Sequence, residues 1–252
     1  MATDSPIYET IGKGYAHTRQ PDPRWQAAID QALGDAQNII NVGAGAGSYE
    51  PSDRRVIAVE PSSTMIAQRP ATAAPVICSV AEQLPFGDQT FDLAMAILTT
   101  HHWSNARAGL NEMCRVAAQQ LVVTWDPKIF ATEFWLMADY LPEVAEREQS
   151  LATLDLAMEV LPNATAIPLP VPADCIDGVL GAYWQRPEAY LQDNVRAAMS
   201  GLALSNETLV ARAIARLADD LDSGAWRERY ASLLELDALD LGYRLVLAAS
   251  ES

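Results

Sequence analysis

The first half of the chain alternates between short apolar runs and longer segments with helical periodicity. The apolar runs read N-I-I-N-V at 38–42, V-I-A-V-E at 56–60, A-P-V-I-C-S-V at 74–80, F-D-L-A-M-A-I-L at 91–98 and L-V-V-T-W-D at 121–126. These runs are short for helices, and the run at 91–98 is too apolar for a strand with a solvated face. Strands buried on both faces and separated by helices predict a parallel α/β sheet.

The helices between these runs and the second half of the chain follow other patterns. Leu110, Met113 and Val116 recur at helical spacing within residues 104–117. After Asp126 the alternation stops. Residues 130–161 have helical character, and a proline-rich stretch, I-P-L-P-V-P, follows at 167–172. The pattern then predicts an amphipathic helix at 207–221 and a last strand, G-Y-R-L-V-L-A-A, at 242–249. We interpret residues 130–205 as a cap inserted over the carboxyl ends of the strands.

Charge and composition exclude several classes of function. The 252 residues carry a formal net charge of -16, from 33 acidic and 17 basic side chains, and no basic cluster offsets it. Nucleic acids and anionic membrane surfaces would repel such a chain, so we expect neither as a partner. The 3 cysteines are far apart, which suits a reducing compartment, and no metal-ligand spacing is present. With no apolar leader and no membrane-length run, we expect a cytoplasmic monomer or homodimer.

A glycine-rich turn follows the first predicted strand. Gly43, Gly45 and Gly47 alternate with alanines, so the backbone can come close to a ligand. A dinucleotide turn requires glycine or alanine three residues after the second glycine, where this chain has Ser48. The spacing therefore suits a ligand with a ribose and an amino-acid tail but no phosphate. Glu60 could bind a ribose in either fold and does not separate the two interpretations.

A second motif distinguishes between a dinucleotide and a ligand without phosphate. The run A-E-Q-L-P-F-G-D-Q-T-F-D-L at 81–93, together with N-V-G-A-G-A-G, V-E-P-S and H-H-W, resembles the class I S-adenosylmethionine-dependent methyltransferases. More narrowly, it looks like the small-molecule group that includes the ubiquinone and menaquinone methyltransferases. The resemblance covers about residues 8–126. It implies S-adenosylmethionine as the cofactor and a seven-stranded, mostly parallel sheet with helices on both faces and an antiparallel last strand. The whole of 1–252 is then one methyltransferase domain.

The resemblance also implies a set of cofactor-binding residues in the turns that follow the first four strands. They are Gly43, Ala44, Gly45, Gly47, Glu60, Pro61, Ser62, Met65, Val80, Ala81, Glu82, Ile97 and Leu98. The glycine turn would lie under the methionine part, Glu60 would hold the ribose hydroxyls, and Ile97 and Leu98 would flank the sulfonium. Two positions depart from the family: Asn41 replaces the acid usual two residues before the first glycine, and Val80 replaces an acid that often binds the adenine.

The segment before the first strand adds further candidates. In the resembled family such a segment folds over the cofactor, so residues 1–25 are expected to form a lid. Tyr15 and Arg19 are four residues apart and would face the same side of one helical turn. Both could contact the cofactor carboxylate or close the pocket, or the segment could be a cap packed for stability. The sequence leaves these two possibilities open.

Three residues are candidates for catalysis. His101 and His102 follow the fourth strand, where a histidine with a pKa near ~6.5 could act as a general base. Asp126 ends the fifth strand, where it could orient or deprotonate a substrate or cap the next loop. As a set, the aromatic residues of the cap region favour a flat, apolar methyl acceptor: Trp125, Phe134, Trp135, Tyr183 and Trp184. The acids of 143–159, such as Glu143, Glu146 and Glu148, are expected on a solvated helix face.

The function predicted from these features is methyl transfer to a small, aromatic or apolar organic molecule at carbon, nitrogen or oxygen. One alternative keeps the fold and cofactor but catalyses a cyclisation or rearrangement without net methyl transfer. A second alternative is a non-catalytic subunit that only binds the cofactor. No metal is expected in any of these interpretations.

Overall fold

A computed structural model describes residues 19–151 and 153–249 of the chain. Its main sheet has seven strands in the order β3-β2-β1-β4-β5-β9-β6. The strands are β1 (Asn38–Val42), β2 (Arg55–Val59), β3 (Val76–Ile77), β4 (Phe91–Ile97), β5 (Ala117–Trp125), β6 (Thr165–Pro168), β7 (Val171–Pro172), β8 (Ala238–Leu239) and β9 (Tyr243–Ala249). The first five are parallel, β9 runs antiparallel to both of its neighbours, and β7 pairs with β8 separately. The predicted fold class is confirmed.

Helices cover both faces of this sheet. They are α1 (Pro23–Ala32), α2 (Ser63–Ala67), α3 (Ala106–Val116), α4 (Pro127–Glu133), α5 (Pro142–Glu148), α6 (Leu154–Val160), α7 (Asp193–Ala197), α8 (Ser200–Ala203), α9 (Glu207–Asp222) and α10 (Ala225–Arg229). Neighbouring residues of β1 show the two layers: Ile39 packs in the core that contains α1, and Ile40 packs in the core that contains α3. Both are fully buried, which explains why β1 shows no alternation of apolar and polar residues.

Most predicted strands lie where the apolar runs indicated, but β5 is longer than expected. It begins at Ala117, directly after α3, rather than at Leu121. Gln119 and Gln120 interrupt the apolar pattern in its first half. Gln120 is buried: its Nε2 donates to the carbonyl of Ala117 at 2.8 Å, while its Oε1 has no hydrogen-bond partner among the described residues.

The predicted cap of residues 130–205 is not one continuous insertion. Residues Thr165–Pro168 form β6, which pairs with β9 at the edge of the main sheet. Its one proline, Pro168, is tolerated there because an edge strand needs donors on only one side. α6 also packs on the sheet, since Ala157 belongs to the same core as α3. Fewer elements than the predicted cap lie over the carboxyl ends of β4 and β5: they are α5, α8 and the loop around Gly178.

Two further findings concern the expected lid and membrane contact. Most of the predicted lid, including Tyr15, lies outside the described residues. Its last part is described: Asp22 caps α1, and Pro23 occupies the first turn of that helix, a favourable place for proline. Among the residues that the structure describes, no helix is long and apolar enough to cross a bilayer.

Candidate active site

Two cavities adjoin at the carboxyl ends of the parallel strands. The first, of about 560 Å³, is called here the glycine-loop cavity; its lining is Arg19, Asn41, Gly43, Ala44, Gly45, Ala46, Ser48, Tyr49, Glu60, Met65, Ile97, Leu98, Thr99 and His102. The second, of about 530 Å³, is called the aromatic cavity and includes Trp125, Phe130 and Tyr243. Arg19, Leu98 and His102 line both, so the cavities meet at these three residues.

The turn after β1 has a conformation that requires glycine. Gly43 has a φ of 70°, and a Cβ atom at this position would overlap the side-chain hydroxyl of Thr99. The amides of Gly43 and Ala44 both donate to the carbonyl of Val59, at 2.8 and 3.0 Å. The turn is therefore held against the ends of β2 and β4 and presents bare backbone to the cavity.

Glu60 lies at the end of β2, as predicted, and it is buried. Its Oε2 accepts from the amide of Gly45 at 2.8 Å, and its Oε1 accepts from the amide of Ser62 at 2.9 Å. Burial raises the pKa of this carboxyl, while the two amide hydrogen bonds act in the opposite direction. Each oxygen retains a lone pair for a further donor, so the carboxylate can accept from two vicinal hydroxyls.

Asn41, where the resembled family usually has an acid, is 2% exposed and belongs to a buried polar network. Its Nδ2 donates to Oε1 of Glu50 at 3.1 Å, and Nη2 of Arg69 donates to the same oxygen at 2.7 Å. Nη1 of Arg69 also donates to the carbonyl of Gly45 at 3.1 Å. The Oδ1 atom of Asn41 is buried and finds no hydrogen-bond partner among the described residues. A buried carbonyl oxygen beside the cavity is suited to a donor such as an ammonium group.

Arg19 joins three segments that are distant in sequence. Its Nε donates to Oδ1 of Asp177 at 2.5 Å, and the hydroxyl of Tyr49 donates to the other oxygen at 2.8 Å. The Tyr49 hydroxyl in turn accepts from the amide of Asp22 at 3.1 Å. Burial, with Asp177 nearby, raises the pKa of Tyr49, so the phenol remains a donor. Tyr49 and Asp177 were not candidates from the sequence, because no local pattern marks either.

The remaining predicted residues of the glycine-loop cavity divide into two groups. Met65 lines the cavity on α2, a helix that the hydroxyl of Ser62 caps. The other group does not line it, and its members are Gly47, Pro61, Ser62, Val80, Ala81 and Glu82. Glu82 instead accepts from the Ser104 hydroxyl and the Asn105 amide at the start of α3, both at 2.8 Å. The positive end of a helix attracts a carboxylate, which explains why Glu82 turns away from the cavity.

The junction of the two cavities has a strained residue. Leu98, directly after β4, has a φ of 50°, a conformation that costs a non-glycine residue about 1–2 kcal/mol. Its amide donates to the carbonyl of Val123 at 2.8 Å, which fixes the turn. Ile97, the last residue of β4, lines only the glycine-loop cavity. Strain of this kind is often retained at sites where a side chain must be positioned for function.

His102 lies at the junction, and His101 lies beside it in the wall of the aromatic cavity. The ring centroids of His101 and His102 are 3.7 Å apart, and His101 contacts the Trp125 ring edge-on at 4.7 Å. Burial and the charge of Arg19 lower the pKa of His102 to about 4, and burial lowers that of His101 well below its usual range. The Nδ1 atom of His101 is buried without a hydrogen-bond partner in the described part of the chain.

Asp126 is not part of the site. It caps α4, where its Oδ1 accepts from the amides of Lys128 and Ile129 at 2.9 and 3.3 Å. It lines neither cavity. The structure therefore supports the capping interpretation and removes Asp126 from the catalytic candidates. The reason is local: an acid one residue before the Pro127 that starts a helix is in the preferred N-cap position.

The walls of the aromatic cavity differ from the predicted set. Trp125 lines it, but Phe134, Trp135 and Trp184 are at most 2% exposed in the core behind it. The other apolar side chains of the wall are Phe130, Val179, Leu180, Met199 and Tyr243. Of the five aromatic residues predicted to favour a flat, apolar methyl acceptor, only Trp125 lines this cavity, and the nature of the acceptor stays a prediction. A second wrong expectation concerns Glu148, which is buried and lines this cavity instead of facing solvent.

Comparisons with known proteins agree with this geometry. The methyltransferase domain family matches residues 40–120. One similar protein of known crystal structure is described as a methyltransferase from an antibiotic biosynthesis pathway of Anabaena variabilis, and its sequence is 32% identical to this chain. The alignment covers 92% of this chain and 99% of the Anabaena chain, with a TM-score of 0.85. The fold is also shared by phosphoethanolamine N-methyltransferase 2 of Haemonchus contortus, whose structure was solved with phosphomonomethylethanolamine and S-adenosylhomocysteine. The two sequences are 14% identical, and the alignment covers 99% of this chain and 58% of the Haemonchus chain, with a TM-score of 0.51. Curated protein sequences include no significant match.

Proposed function

Since this chain belongs to the class I S-adenosylmethionine-dependent methyltransferases, we propose that it methylates a small organic molecule bound in the aromatic cavity. One observation carries the proposal. The glycine-loop cavity and the aromatic cavity meet at Leu98 and His102, so a cofactor in one and a methyl acceptor in the other would have their reacting atoms at this junction. The narrower resemblance to quinone methyltransferases stays a prediction.

The cofactor of this family is S-adenosylmethionine, which supplies a methyl group on a sulfonium that a nucleophile can displace. The residues of the glycine-loop cavity fit it on three points. The turn at Gly43 leaves room for a ligand against the backbone, Glu60 offers two oxygens to vicinal hydroxyls, and the buried Oδ1 of Asn41 offers a neutral hydrogen-bond acceptor for an ammonium group. We further propose that Arg19, held by Asp177, binds the carboxylate at the other end of the amino-acid tail.

Alignment and exclusion of water are the main contributions that we assign to the protein. Leu98 and Ile97 would hold the reacting centre from one side, while Trp125 and His101 wall the aromatic cavity. Holding two reactants in line removes much of the entropic cost of a bimolecular step. Apolar walls keep water from competing as the nucleophile.

A supporting role remains for the histidines. Because the pKa of His102 is lowered to about 4, its imidazole is neutral at neutral pH and can accept a hydrogen bond. A pKa so far below the working pH makes it a weak base, since proton transfer is most efficient when the two values are close. We therefore propose that His102 or His101 orients the nucleophile of the methyl acceptor and accepts its proton only as the new bond forms.

The nature of the methyl acceptor follows from the walls of the aromatic cavity. Phe130, Trp125 and Tyr243 present ring surface, which favours a flat, apolar or aromatic molecule. The net charge of -16 argues against an RNA or DNA substrate. The Anabaena protein's description, a methyltransferase of an antibiotic biosynthesis pathway, supports a small organic molecule of this kind.

The test has two stages. Isothermal titration calorimetry with S-adenosylhomocysteine is expected to show micromolar or tighter binding, which corresponds to roughly -8 kcal/mol. Release of S-adenosylhomocysteine from S-adenosylmethionine is then measured with a panel of flat aromatic methyl acceptors, and mass spectrometry of each product identifies the gain of a methyl group. A rearranged product without that gain, formed while S-adenosylmethionine is not consumed, would favour the cyclase alternative, which the comparisons with methyltransferases do not favour.

A further inference from the structure

Glu148 is a buried carboxylate in the wall of the aromatic cavity. Its residue is 6% exposed, and it also lines a third cavity of about 730 Å³, called here the outer cavity, which extends past Arg147, Leu151 and Leu204. Glu148 does not line the glycine-loop cavity. It therefore lies in the wall that the aromatic and outer cavities share, and His101 and His102 line both of these cavities as well.

The position of Glu148 is set by the packing of α5. Leu141, Val144 and Ala145 are buried on one side of this helix, and Glu148 is the next position in the same i, i+3, i+4, i+7 series. The carboxylate is therefore buried because Glu148 lies on the apolar face of α5. Gly201 on α8 lies against it, because a Cβ atom there would be 3.5 Å from Oε1 of Glu148.

One oxygen of this carboxylate is satisfied, and the structure gives the other no donor. Nη2 of Arg147 donates to Oε1 at 2.7 Å and also to the carbonyl of Gly201 at 2.8 Å. For Oε2 no hydrogen bond is found with the residues that the structure describes. The nearby wall mixes apolar side chains, such as Leu180 and Met199, with polar ones, such as His101 and Ser200. Oε2 of Glu148 is not one of the fully buried atoms that lack a partner, so a ligand or a water molecule can reach it and donate to it.

We propose that Glu148 recognises a neutral N–H or O–H donor on the methyl acceptor, at an atom other than the one that is methylated. The inference rests on the proposed function, and it deepens that function by naming the substrate class: a flat apolar body that carries a neutral N–H or O–H group. Because Arg147 already balances the charge of Glu148, a full positive charge on the ligand is not needed. His101 and His102 remain available for the reacting end.

Matched probes can test this on the full chain without knowledge of the natural methyl acceptor. The probes are 2-(1-naphthyl)ethanol and 2-(1-naphthyl)acetamide, which carry a neutral donor, and 2-(1-naphthyl)ethyl methyl ether, which does not. Dissociation constants are measured by ligand-observed NMR with and without saturating S-adenosylhomocysteine. The donor-bearing probes are expected to bind at least ~10-fold more tightly than the ether, because only they can satisfy Oε2 of Glu148.

Three variants locate the preference. Glu148→Met keeps the length of the side chain without an oxygen and is expected to reduce the preference to less than ~2-fold. Glu148→Gln retains one carbonyl oxygen and should give an intermediate value, a partial rescue that a merely structural role would not produce. Glu146→Gln, an exposed acid on the same helix, is the control and should leave the preference unchanged.

Two results would separate the possible failures. Equal binding of the ether and the donor-bearing probes, or a preference that survives Glu148→Met, overturns the inference while the proposed function stands. Failure of S-adenosylhomocysteine to bind the wild-type chain overturns the proposed function. The preference for donor-bearing probes is then judged from the dissociation constants measured without S-adenosylhomocysteine. Thermal melting of each variant verifies that the fold is retained.

Discussion

The Nε atom of Arg19 and the Oδ1 atom of Asp177 lie 2.5 Å apart, although 158 positions separate the two residues in the chain. The pair is largely buried, with the Asp177 side chain 1% exposed. Tyr49, in the turn that follows the glycines, donates to the same carboxylate. One carboxylate from the second half of the chain thus connects the segment before α1 with the glycine turn.

The first prediction concerns this carboxylate. Asp177→Asn removes the charge that pairs with Arg19 and one acceptor for Tyr49, so we expect a loss of about 3 kcal/mol in the free energy of unfolding. Urea denaturation monitored by circular dichroism measures it. Asp174→Asn is the control, because Asp174 pairs with Arg24 on the surface and its loss should leave the midpoint unchanged. Equal effects of the two variants would contradict a buried, structural role for Asp177.

The second prediction separates two acids that the sequence assigned to the same ligand. Glu60→Ala should weaken S-adenosylhomocysteine binding by more than ~1 kcal/mol, because a carboxylate that faces the glycine-loop cavity is lost. Glu82→Ala should leave this affinity unchanged and instead lower the stability by about 1 kcal/mol, because Glu82 accepts from Ser104 and Asn105. Calorimetry and urea denaturation measure the two effects. A large loss of affinity in Glu82→Ala would restore the original assignment.

The third prediction concerns the close approach of Gly43 to Thr99. Gly43→Ala introduces a Cβ where the Thr99 side chain lies, at a residue with a φ of 70°. Gly34→Ala is a matched control, because Gly34 has a φ of 52° but no atom within 4 Å of the added Cβ. We expect Gly34→Ala to cost about 1 kcal/mol from backbone strain alone and Gly43→Ala clearly more. Thr99→Ala should recover part of the additional loss; if it recovers none, the contact is not its cause.

The fourth prediction is a pH dependence of stability from the buried histidines. The pKa of His102 is about 4 in the folded protein, below the ordinary value of about 6.5, so the unfolded chain binds more protons between these values. The contribution of His102 to stability is therefore complete above about pH 6.5 and decreases as the pH falls toward 4. Urea midpoints at pH 7, 5.5 and 4.5 measure this slope. His102→Asn should flatten it, and an unchanged slope would show that other groups cause the acid sensitivity.

The sheet could be predicted because its signal is local. Strands such as β1 and β4 are buried on both faces, so three of the five residues of β1 and six of the seven residues of β4 are apolar, and the runs are visible in the sequence. β6 was missed as a strand for the opposite reason. All four of its residues are exposed at the edge of the sheet, and the prolines around it resemble a loop. Only the pairing with β9 makes it a strand.

The candidate site could be predicted only where a motif carries it. The glycine turn and Glu60 lie within a few residues of a strand end, and their backbone geometry follows from short-range rules. The burial of Glu148 could have been predicted from the sequence, because Glu148 continues the helical series of apolar positions Leu141, Val144 and Ala145. Asp126 also had one, because an acid before a proline is a common helix cap.

The sequence by itself determined the α/β class, the family resemblance and the positions of the glycine turn after β1 and of Glu60 after β2. These depend on hydrophobic periodicity and on turn geometry, both of which act over a few residues. The tertiary structure alone decided which side chains meet across long separations: Asp177 beneath Arg19, and Glu148 in the wall of the aromatic cavity. The physical reason is that such pairs are selected by how distant elements pack, and no local property of an aspartate or a glutamate indicates which partner the packing will bring to it.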